Sequence, residues 1–354
     1  MSDDKVKKIL QNINKELKGE DSLVRMGDEK LYIETFSSGS IAIDDAIGVG
    51  GLPIGRIIEI YGPESCGKTT ICLSSIASAQ VDGKICAFID AEHALDPKLA
   101  IGCGVCWNSL LFYQPNYGEK ALMMVEKFLE NGVDIVVVDS VAALIPKQEY
   151  EGEIDGKDAM GAQSRMMSKA LRKLVGVINR TKGTVIFINQ IREKIGVMFG
   201  SPETTPGGRA LKFASTLRIE VKRTESILKN QKSIGNKLRV TIVKNKLAIP
   251  YHKAQVDLIF GKGVDNTKDI FIKAVEYGIV EKKGSTWYVY NDIKVNGFES
   301  FIEKMKECDF ISEINSKTRY AMINSVKPLV DNIDENKDDD NGGFDDDDDD
   351  DDQN

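Results

Sequence analysis

Gly62-Pro63-Glu64-Ser65-Cys66-Gly67-Lys68-Thr69 is the stretch whose reading decides the fold. It has the form G-x-x-x-x-G-K-T, and its context carries more information than the string alone. A strand-like run, Arg56-Ile57-Ile58-Glu59-Ile60-Tyr61, leads into it, and a helix-like run from Lys68 to Gln80 leaves it. A glycine-rich turn between strand and helix aims several backbone N–H groups at one point, and the helix N-terminus adds positive potential there. Such a cradle suits a polyphosphate. Lys68 is placed to reach β- and γ-phosphates, and the Thr69 hydroxyl to ligate Mg²⁺, with Thr70 next in the same turn.

Outward from this loop, strands and helices alternate. Strand-like runs fall at 56–61, 85–90, 134–139 and 184–189, and helix-like runs at 68–80, near 97–103, at 119–130 and at 160–180. Alternation at this spacing predicts βαβ units, an α/β fold with a mostly parallel sheet and helices on both faces. The strands are near-continuous apolar runs, as strands buried on both faces should be. Further runs at 215–222, 238–243 and 254–260 read as hairpin additions to the sheet. The whole divides into 1–34 (an N-terminal helix and linker), 35–265 (the core), 266–329 (a small α+β C-terminal domain around Trp287-Tyr288-Val289-Tyr290) and 330–354 (an acidic tail expected to be disordered). In the first part Val6, Ile9, Leu10, Ile13 and Leu17 form one apolar stripe, predicting a helix over 4–18. That helix could dock on another subunit or fold back on its own.

The formal charge of −8 conceals a division of sign. Residues 331–354 hold thirteen Asp and one Glu against a single Lys, a net −13, so residues 1–330 carry +5. A mildly basic body with an acidic tail suits a polyanionic ligand that the tail partly competes with, although such a tail also serves solubility alone. No apolar stretch approaches the ~20 residues needed to span a bilayer, and no apolar signal region follows Met1, so no membrane partner and a cytoplasmic location are expected. The six cysteines are scattered and expected to be reduced. Cys103-Gly104-Val105-Cys106 is a lone C-x-x-C without a second pair at metal spacing, so two thiols at a helix–loop junction are the simpler reading.

Three other strand ends gather around the phosphate loop. Ile135-Val136-Val137-Val138-Asp139 is an apolar strand ending in the Asp that, with an upstream phosphate loop, sits beside the metal of a bound nucleotide. The strand at 85–90 leads to Glu92, which in an open α/β sheet faces the γ-phosphate region and can orient or deprotonate water, a salt bridge being the alternative. His93 reads as a local packing or hydrogen-bonding residue. Strand 184–189 ends in Asn189-Gln190, where an uncharged amide can bond a γ-phosphate oxygen and lose that bond on hydrolysis. Residues 191–210 then show no clear helix or strand period, and loops of that length are usually functional or disordered. Arg192, Lys194 and Arg209 supply charge for phosphates, Gly207 and Gly208 allow close backbone approach, and Ile195 and Phe199 can wedge or stack between bases. A second glycine- and charge-rich stretch, 151–158, precedes helix 160–180. Arg165, Lys169, Arg172 and Lys173 lie mostly on one face of that helix, either a ligand face or a solvated one.

These strings resemble the RecA family of bacterial homologous-recombination ATPases over residues 35–265. The resemblance rests on Gly62–Thr70, on the run from Ala87 to Pro97, on Val137–Leu144, on Phe187–Arg192, on Lys194–Gly200 and on Lys244-Asn245-Lys246. It implies a RecA-type core and a DNA-dependent ATPase that uses ATP and Mg²⁺. Such a protein forms a helical homo-oligomer on single-stranded DNA, pairs it with homologous double-stranded DNA and stimulates self-cleavage of an SOS-type repressor. It further implies that Glu92 activates water, Asp139 supports the metal, Gln190 reports the γ-phosphate and Asp96 contacts adenine. Lys244 and Lys246 would reach the neighbouring subunit's nucleotide. Arg165, Ser168, Arg172, Gly207 and Gly208 would contact the primary strand. Lys222, Arg223 and Arg239 would form a second DNA site, and the N-terminal helix would pack on the adjacent protomer. Four positions depart from the pattern: Leu99 replaces an adenine-stacking Tyr, Cys66 a Ser, Ala214 an aromatic and Thr241 a frequent Lys. A ring-forming helicase or motor on the same fold is the alternative reading, and a filament scaffold without catalysis is a third.

Overall fold

The structure, a computed structural model, describes residues 2–17, 23, 34–152, 161–193 and 203–325. Helix Ser2–Glu16 belongs to a unit of its own, and Glu34–Val326 form the other compact unit. The expected disorder beyond 330, and Lys194, Ile195 and Phe199, lie outside the described residues.

A nine-stranded sheet organises the larger unit, in the order Gly263–Asp265, Lys253–Ile259, Lys232–Asn245, Leu217–Lys229, Ile57–Gly62, Thr184–Gln190, Ile135–Asp139, Cys86–Asp90 and Leu110–Tyr113. The six strands from Leu217–Lys229 to Leu110–Tyr113 run parallel, and the other three add antiparallel at one edge. The apolar runs read from the sequence form the centre because both faces are covered. Ile58 and Ile60 join one core with Ile71, Leu73 and Ile76 of helix Lys68–Val81. Ile57, Val185 and Phe187 join the other with helices Gly118–Glu130 and Ala162–Thr181. In the latter helix Met167, Leu171, Leu174 and Ile178 recur at helical spacing and are buried, which puts Arg165, Ser168 and Arg172 on the opposite face.

Three features differ from the sequence expectation. Leu110–Tyr113 and Gly263–Asp265 are additional strands, one at each edge of the sheet. The expected strands at 215–222 and 238–243 are halves of a longer hairpin, Leu217–Lys229 with Lys232–Asn245, whose outer part projects past the apolar core and so lacks the alternation that marks a strand. The stretch 191–210, read as irregular, contains the short antiparallel pair Arg192–Glu193 with Glu203–Thr204 and opens helix Arg209–Ala214.

The C-terminal segment has its own aromatic core. Phe271 and Phe301 meet edge-on with centroids 5.5 Å apart, and Tyr288 lies 5.6 Å from Phe301. Helix Ile41–Ile47 carries it on the main sheet: Ile41 enters the aromatic core, Asp45 accepts from Lys273 (2.6 Å) and Tyr277 (2.6 Å), and buried Asp44 accepts from Arg319 (2.6 Å). Asp269, in the first turn of helix Thr267–Glu276, has a buried Oδ2 without a hydrogen-bond partner. Burial first, then Asp257 and Asp265 on facing strands, push its carboxyl up to about 7. Because the folded value lies above the unfolded value of about 4, the protonated form stabilises the fold below that value, and the contribution is lost as pH rises to about 7. Replacing Asp269 by Asn should therefore give a melting temperature whose advantage over wild type grows from pH 5 to pH 7 and then levels off. A pH-independent difference in thermal melts would contradict this account of Asp269.

Candidate active site

The phosphate loop closes where strand Ile57–Gly62 ends and helix Lys68–Val81 begins. The N-cap, Gly67, is left-handed (φ 91°) and offers no side-chain cap, so the first-turn N–H groups remain available to an outside acceptor. A Cβ at Gly67 would lie 2.7 Å from Leu258 Cδ1, so both conformation and packing select glycine. Pro63, Glu64 and Ser65 form the exposed crest, while Cys66 is buried and desolvation raises its thiol. The buried Lys68 ammonium folds back on the loop, donating to Gly62 O (3.2 Å) and Pro63 O (2.6 Å).

Four strand ends converge at this edge, as expected for the carboxyl ends of a parallel sheet. Thr69 Oγ1 donates to Asp139 Oδ2 at 2.6 Å. Burial chiefly pushes Asp139 up to about 6, with Glu92 and Asp90 adding to the rise and the Thr69 hydroxyl and Lys68 opposing it. A hydroxyl and a carboxylate are hard oxygen donors that fit Mg²⁺, and a cation there would offset the cost of the buried charge. The N–H groups of Ala91 and Glu92 donate to Asp139 O (2.6 and 3.2 Å), which seats Glu92 beside the Asp139 strand. Glu92 Oε1 accepts from Ser140 Oγ and from Gln190 Nε2, the latter at 3.0 Å. Asp90, passed over in the sequence, shapes the Glu92 turn by accepting from Ala94 N, Leu95 N and Gln114 Nε2. His93 Nε2 contacts Pro115 O at 3.2 Å, a local role.

A cavity of about 310 Å³ adjoins the loop. Ser65 to Thr70 form one wall, and Leu99, Asn236, Leu258, Phe260 and Gly261 contribute to the others. Asp96 is outside this lining; it caps helix Pro97–Gly102 by accepting from Lys98 N at 2.8 Å. Asn236, Leu258 and Phe260 escaped the sequence reading because they come from an antiparallel strand pair whose return to the loop is a tertiary fact. The exposed Phe260 beside Gly261 was the one local signal.

Lys244 and Lys246 are not at this edge. Lys244 pairs in register with Arg218, which pairs with Glu59, and Lys246 N bonds Thr216 O, below the start of strand Ile57–Gly62. Their ammonium groups cap helix Arg209–Ala214: Lys244 donates to Lys212 O (2.6 Å) and Phe213 O (3.2 Å), and Lys246 to Phe213 O (3.4 Å). Burial, then Lys246 and Arg218, lower the Lys244 pKa, so this cluster of cations favours an arriving anion.

The residues assigned to nucleic acid come from helix Ala162–Thr181, Arg192, the turn into helix Arg209–Ala214 and the long hairpin. Gln163 pins the start of helix Ala162–Thr181 to the segment after Asp139, donating to Val141 O (2.9 Å) and Leu144 O (3.2 Å). Gly208 (φ 77°) packs on that start, where a Cβ would lie 2.9 Å from Ser164 Oγ. Arg165, Arg172, Arg192 and Arg209 are exposed and Ser168 half-buried, whereas Lys173 is engaged by Glu126 at 2.7 Å. Lys222 and Arg239 face each other across the long hairpin, and Lys222 is paired with Glu220 at 3.1 Å on its own strand.

Leu99 supplies apolar area but no ring to the cavity. Leu99→Tyr should tighten ATP binding by roughly twofold to tenfold, the range of one aromatic stacking contact, and narrow the preference for adenine over a pyrimidine base. Titration with fluorescent nucleotides measures both; unchanged affinity and selectivity would remove Leu99 from the base site.

The RecA N-terminal domain family matches residues 4–265. The chain is 50% identical over 318 residues to Protein RecA of Levilactobacillus brevis, covering 89% of this chain and 84% of that one. It is 51% identical over 311 residues to Protein RecA of Lactococcus lactis subsp. cremoris (86% and 80% covered), and 48% identical over 328 residues to Protein RecA of Mycoplasma mycoides (92% of each). With a family match across the sheet and half-identity over most of its length, the chain belongs to the RecA family: it is a DNA-dependent ATPase of homologous recombination that uses ATP with Mg²⁺, binds single- and double-stranded DNA and forms filaments.

Proposed function

We propose that the nucleotide is held between successive protomers, with Gly62–Thr70, Glu92, Asp139 and Gln190 supplied by one and Lys244 and Lys246 by the next. The observation that carries this reading is the placement of the lysines. The phosphate loop follows Gly62, whereas Lys244 stands in register with Glu59 and Lys246 is level with Ile57, three and five residues back along the sheet, or roughly 10 and 17 Å. Both ammonium groups bond carbonyls at the end of helix Arg209–Ala214, not the loop, and an extended lysine side chain is shorter than either separation, so we assign them to the triphosphate of the neighbouring protomer. Joining one end of the sheet to the opposite end of a neighbour is a head-to-tail contact, which yields open helical assemblies unless the rotation closes a ring. The family assignment lends no support to the ring-forming helicase.

The roles then follow from the chemistry. Lys68 leaves the loop carbonyls for the β- and γ-phosphate oxygens, and Thr69 and Asp139 hold the metal, which supplies charge neutralisation on the phosphates. The Gln190 amide leaves Glu92 for a γ-phosphate oxygen. This frees the Glu92 carboxylate to orient and deprotonate the attacking water. Asp96 and Leu99 meet the base. Arg165, Ser168, Arg172, Arg192, Gly207, Gly208 and Arg209, with Lys194 and Ile195 from outside the described residues, hold the primary strand largely by its backbone, so homology is read by base pairing. Binding of the γ-phosphate favours the DNA-competent arrangement and hydrolysis releases it. The same filament serves as the surface on which an SOS-type repressor cleaves itself. We place the protein in the cytoplasm, with the DNA it acts on; among the described residues no helix is long and apolar enough to cross a membrane.

Mixing two inactive variants tests the shared site. Lys68→Ala protomers lack the cradle, and Lys244→Ala/Lys246→Ala protomers lack the partner cations. Each alone should hydrolyse little ATP on single-stranded DNA. An equimolar mixture should recover up to roughly a quarter of wild-type activity, the share of interfaces with both halves intact in a random head-to-tail polymer. No recovery would place the lysines in their own protomer's chemistry and overturn the arrangement.

A further inference from the structure

Glu59 is fully buried in the middle of the central strand, on the face otherwise lined by Ile57, Val185 and Phe187. Both of its oxygens are engaged. Oε2 pairs with Arg218 Nε at 2.5 Å, and Oε1 accepts from Asn189 Nδ2 at 3.0 Å. Arg218 lies over the Tyr61 ring, 4.5 Å from its centroid, and so is fixed from a second side. Asn189 uses both ends of its amide. Its Nδ2 also donates to Pro206 O at 3.1 Å, and its Oδ1 accepts the backbone N–H of Gln190 at 3.0 Å. One side chain thus touches the γ-phosphate residue, a buried ion pair and the carbonyl immediately before Gly207-Gly208. Next to Pro206, the Thr205 hydroxyl is buried without a hydrogen-bond partner. The trailing end of the loop is therefore held here by an arrangement that leaves one polar group unsatisfied.

We propose that Asn189, clamped by Glu59, is the joint that transmits the position of Gln190 to the DNA-binding end of the 191–208 loop. This rests on reading Gln190 as the γ-phosphate sensor. When Gln190 turns from Glu92 toward a phosphate, its N–H carries the Asn189 carboxamide with it. The donors to Glu59 and Pro206 sit on that same planar group, so they cannot stay in place if the oxygen end moves. Glu59, itself fixed by Arg218, holds the amide in one defined seat, because the buried carboxylate accepts only where a donor meets it. Pro206 has no N–H of its own, so its carbonyl is the backbone handle it offers. Moving that carbonyl shifts Gly207 and Gly208 against Val141 and Ser164, where a Cβ would already be too close. Asn189 and Glu59 are positioning residues in this scheme: neither touches the reacting phosphate.

The test separates coupling from folding. For Asn189→Ala, the affinity for a single-stranded oligonucleotide is measured with and without a non-hydrolysable ATP analogue and Mg²⁺, and the ratio is taken. A variant that is merely less stable loses active protein in both conditions and keeps the ratio. The expected result is a ratio reduced about tenfold, within the usual range of coupling between two sites, while a fluorescent ATP analogue binds as in wild type. A ratio equal to wild type overturns the proposal. Gln190→Ala, measured alongside, tells the two failures apart: if it abolishes the nucleotide-dependent gain while Asn189→Ala preserves it, only the joint is wrong; if both preserve it, the sensor reading falls as well. Should Asn189→Ala not fold, amide hydrogen exchange in the wild-type protein decides. Adding the analogue should change protection at Gln190 and at Gly207-Gly208 together, and a change at Gln190 alone overturns the proposal.

Discussion

A single geometric constraint underlies the rest: the parallel strands deliver Lys68, Thr69, Glu92, Asp139 and Gln190 to one end of the sheet, and the antiparallel return deposits Lys244 and Lys246 farther back, level with Glu59 and Ile57. On the proposed reading, the triphosphate draws on cations that its own protomer holds back from the loop. Chemistry would thereby be tied to assembly, and assembly to whatever strand the protomers line up on. In the isolated protomer each half of the site is occupied by a substitute. Lys68 bonds its own loop carbonyls, Gln190 bonds Glu92, and Lys244 and Lys246 cap a helix end. Each substitute is a neutral or singly charged partner that a polyphosphate outcompetes.

The polar groups that serve this function are the expensive ones. Burying a charge costs several kcal/mol unless it is paired, and a pair in a core seldom exceeds a well-packed apolar replacement. Glu59 and Asp139 nonetheless occupy strand positions that Ile or Val fills elsewhere in the same sheet. Burial is the largest cause of the rise of the Asp139 pKa to about 6, with the Glu92 and Asp90 charges adding to it. Glu59 pairs its charge with Arg218, and Asn189, which it holds, leads to the loop proposed to meet DNA.

Much of this was legible in the sequence, and what was legible has a common cause. Ile57–Gly62, Cys86–Asp90, Ile135–Asp139 and Thr184–Gln190 are covered on both faces, so their apolar runs are unbroken and their polar ends stand out as site residues. The convergence of Lys68, Glu92, Asp139 and Gln190 follows from that alone. The parts missed depend on contacts between distant segments. Leu110–Tyr113 is a short, half-exposed edge strand with little apolar contrast. The outer half of the long hairpin is mostly polar and exposed, with only Ile227, Leu228 and Ile234 apolar toward its tip. Asn236, Leu258 and Phe260 reach the nucleotide cavity only because the hairpin folds back over the phosphate loop. Glu59 looks like an ordinary interruption in an apolar strand until Asn189 and Arg218 are seen on either side of it.

The most direct measurement is equilibrium binding of a labelled single-stranded oligonucleotide to the full chain, followed by fluorescence anisotropy, with no nucleotide, with ADP and with a non-hydrolysable ATP analogue, each with Mg²⁺. A cradle shared between protomers predicts strong binding with the analogue and binding weaker by about tenfold or more in the other two conditions. Equal affinity in all three would mean that the grip on the triphosphate does not govern the grip on DNA.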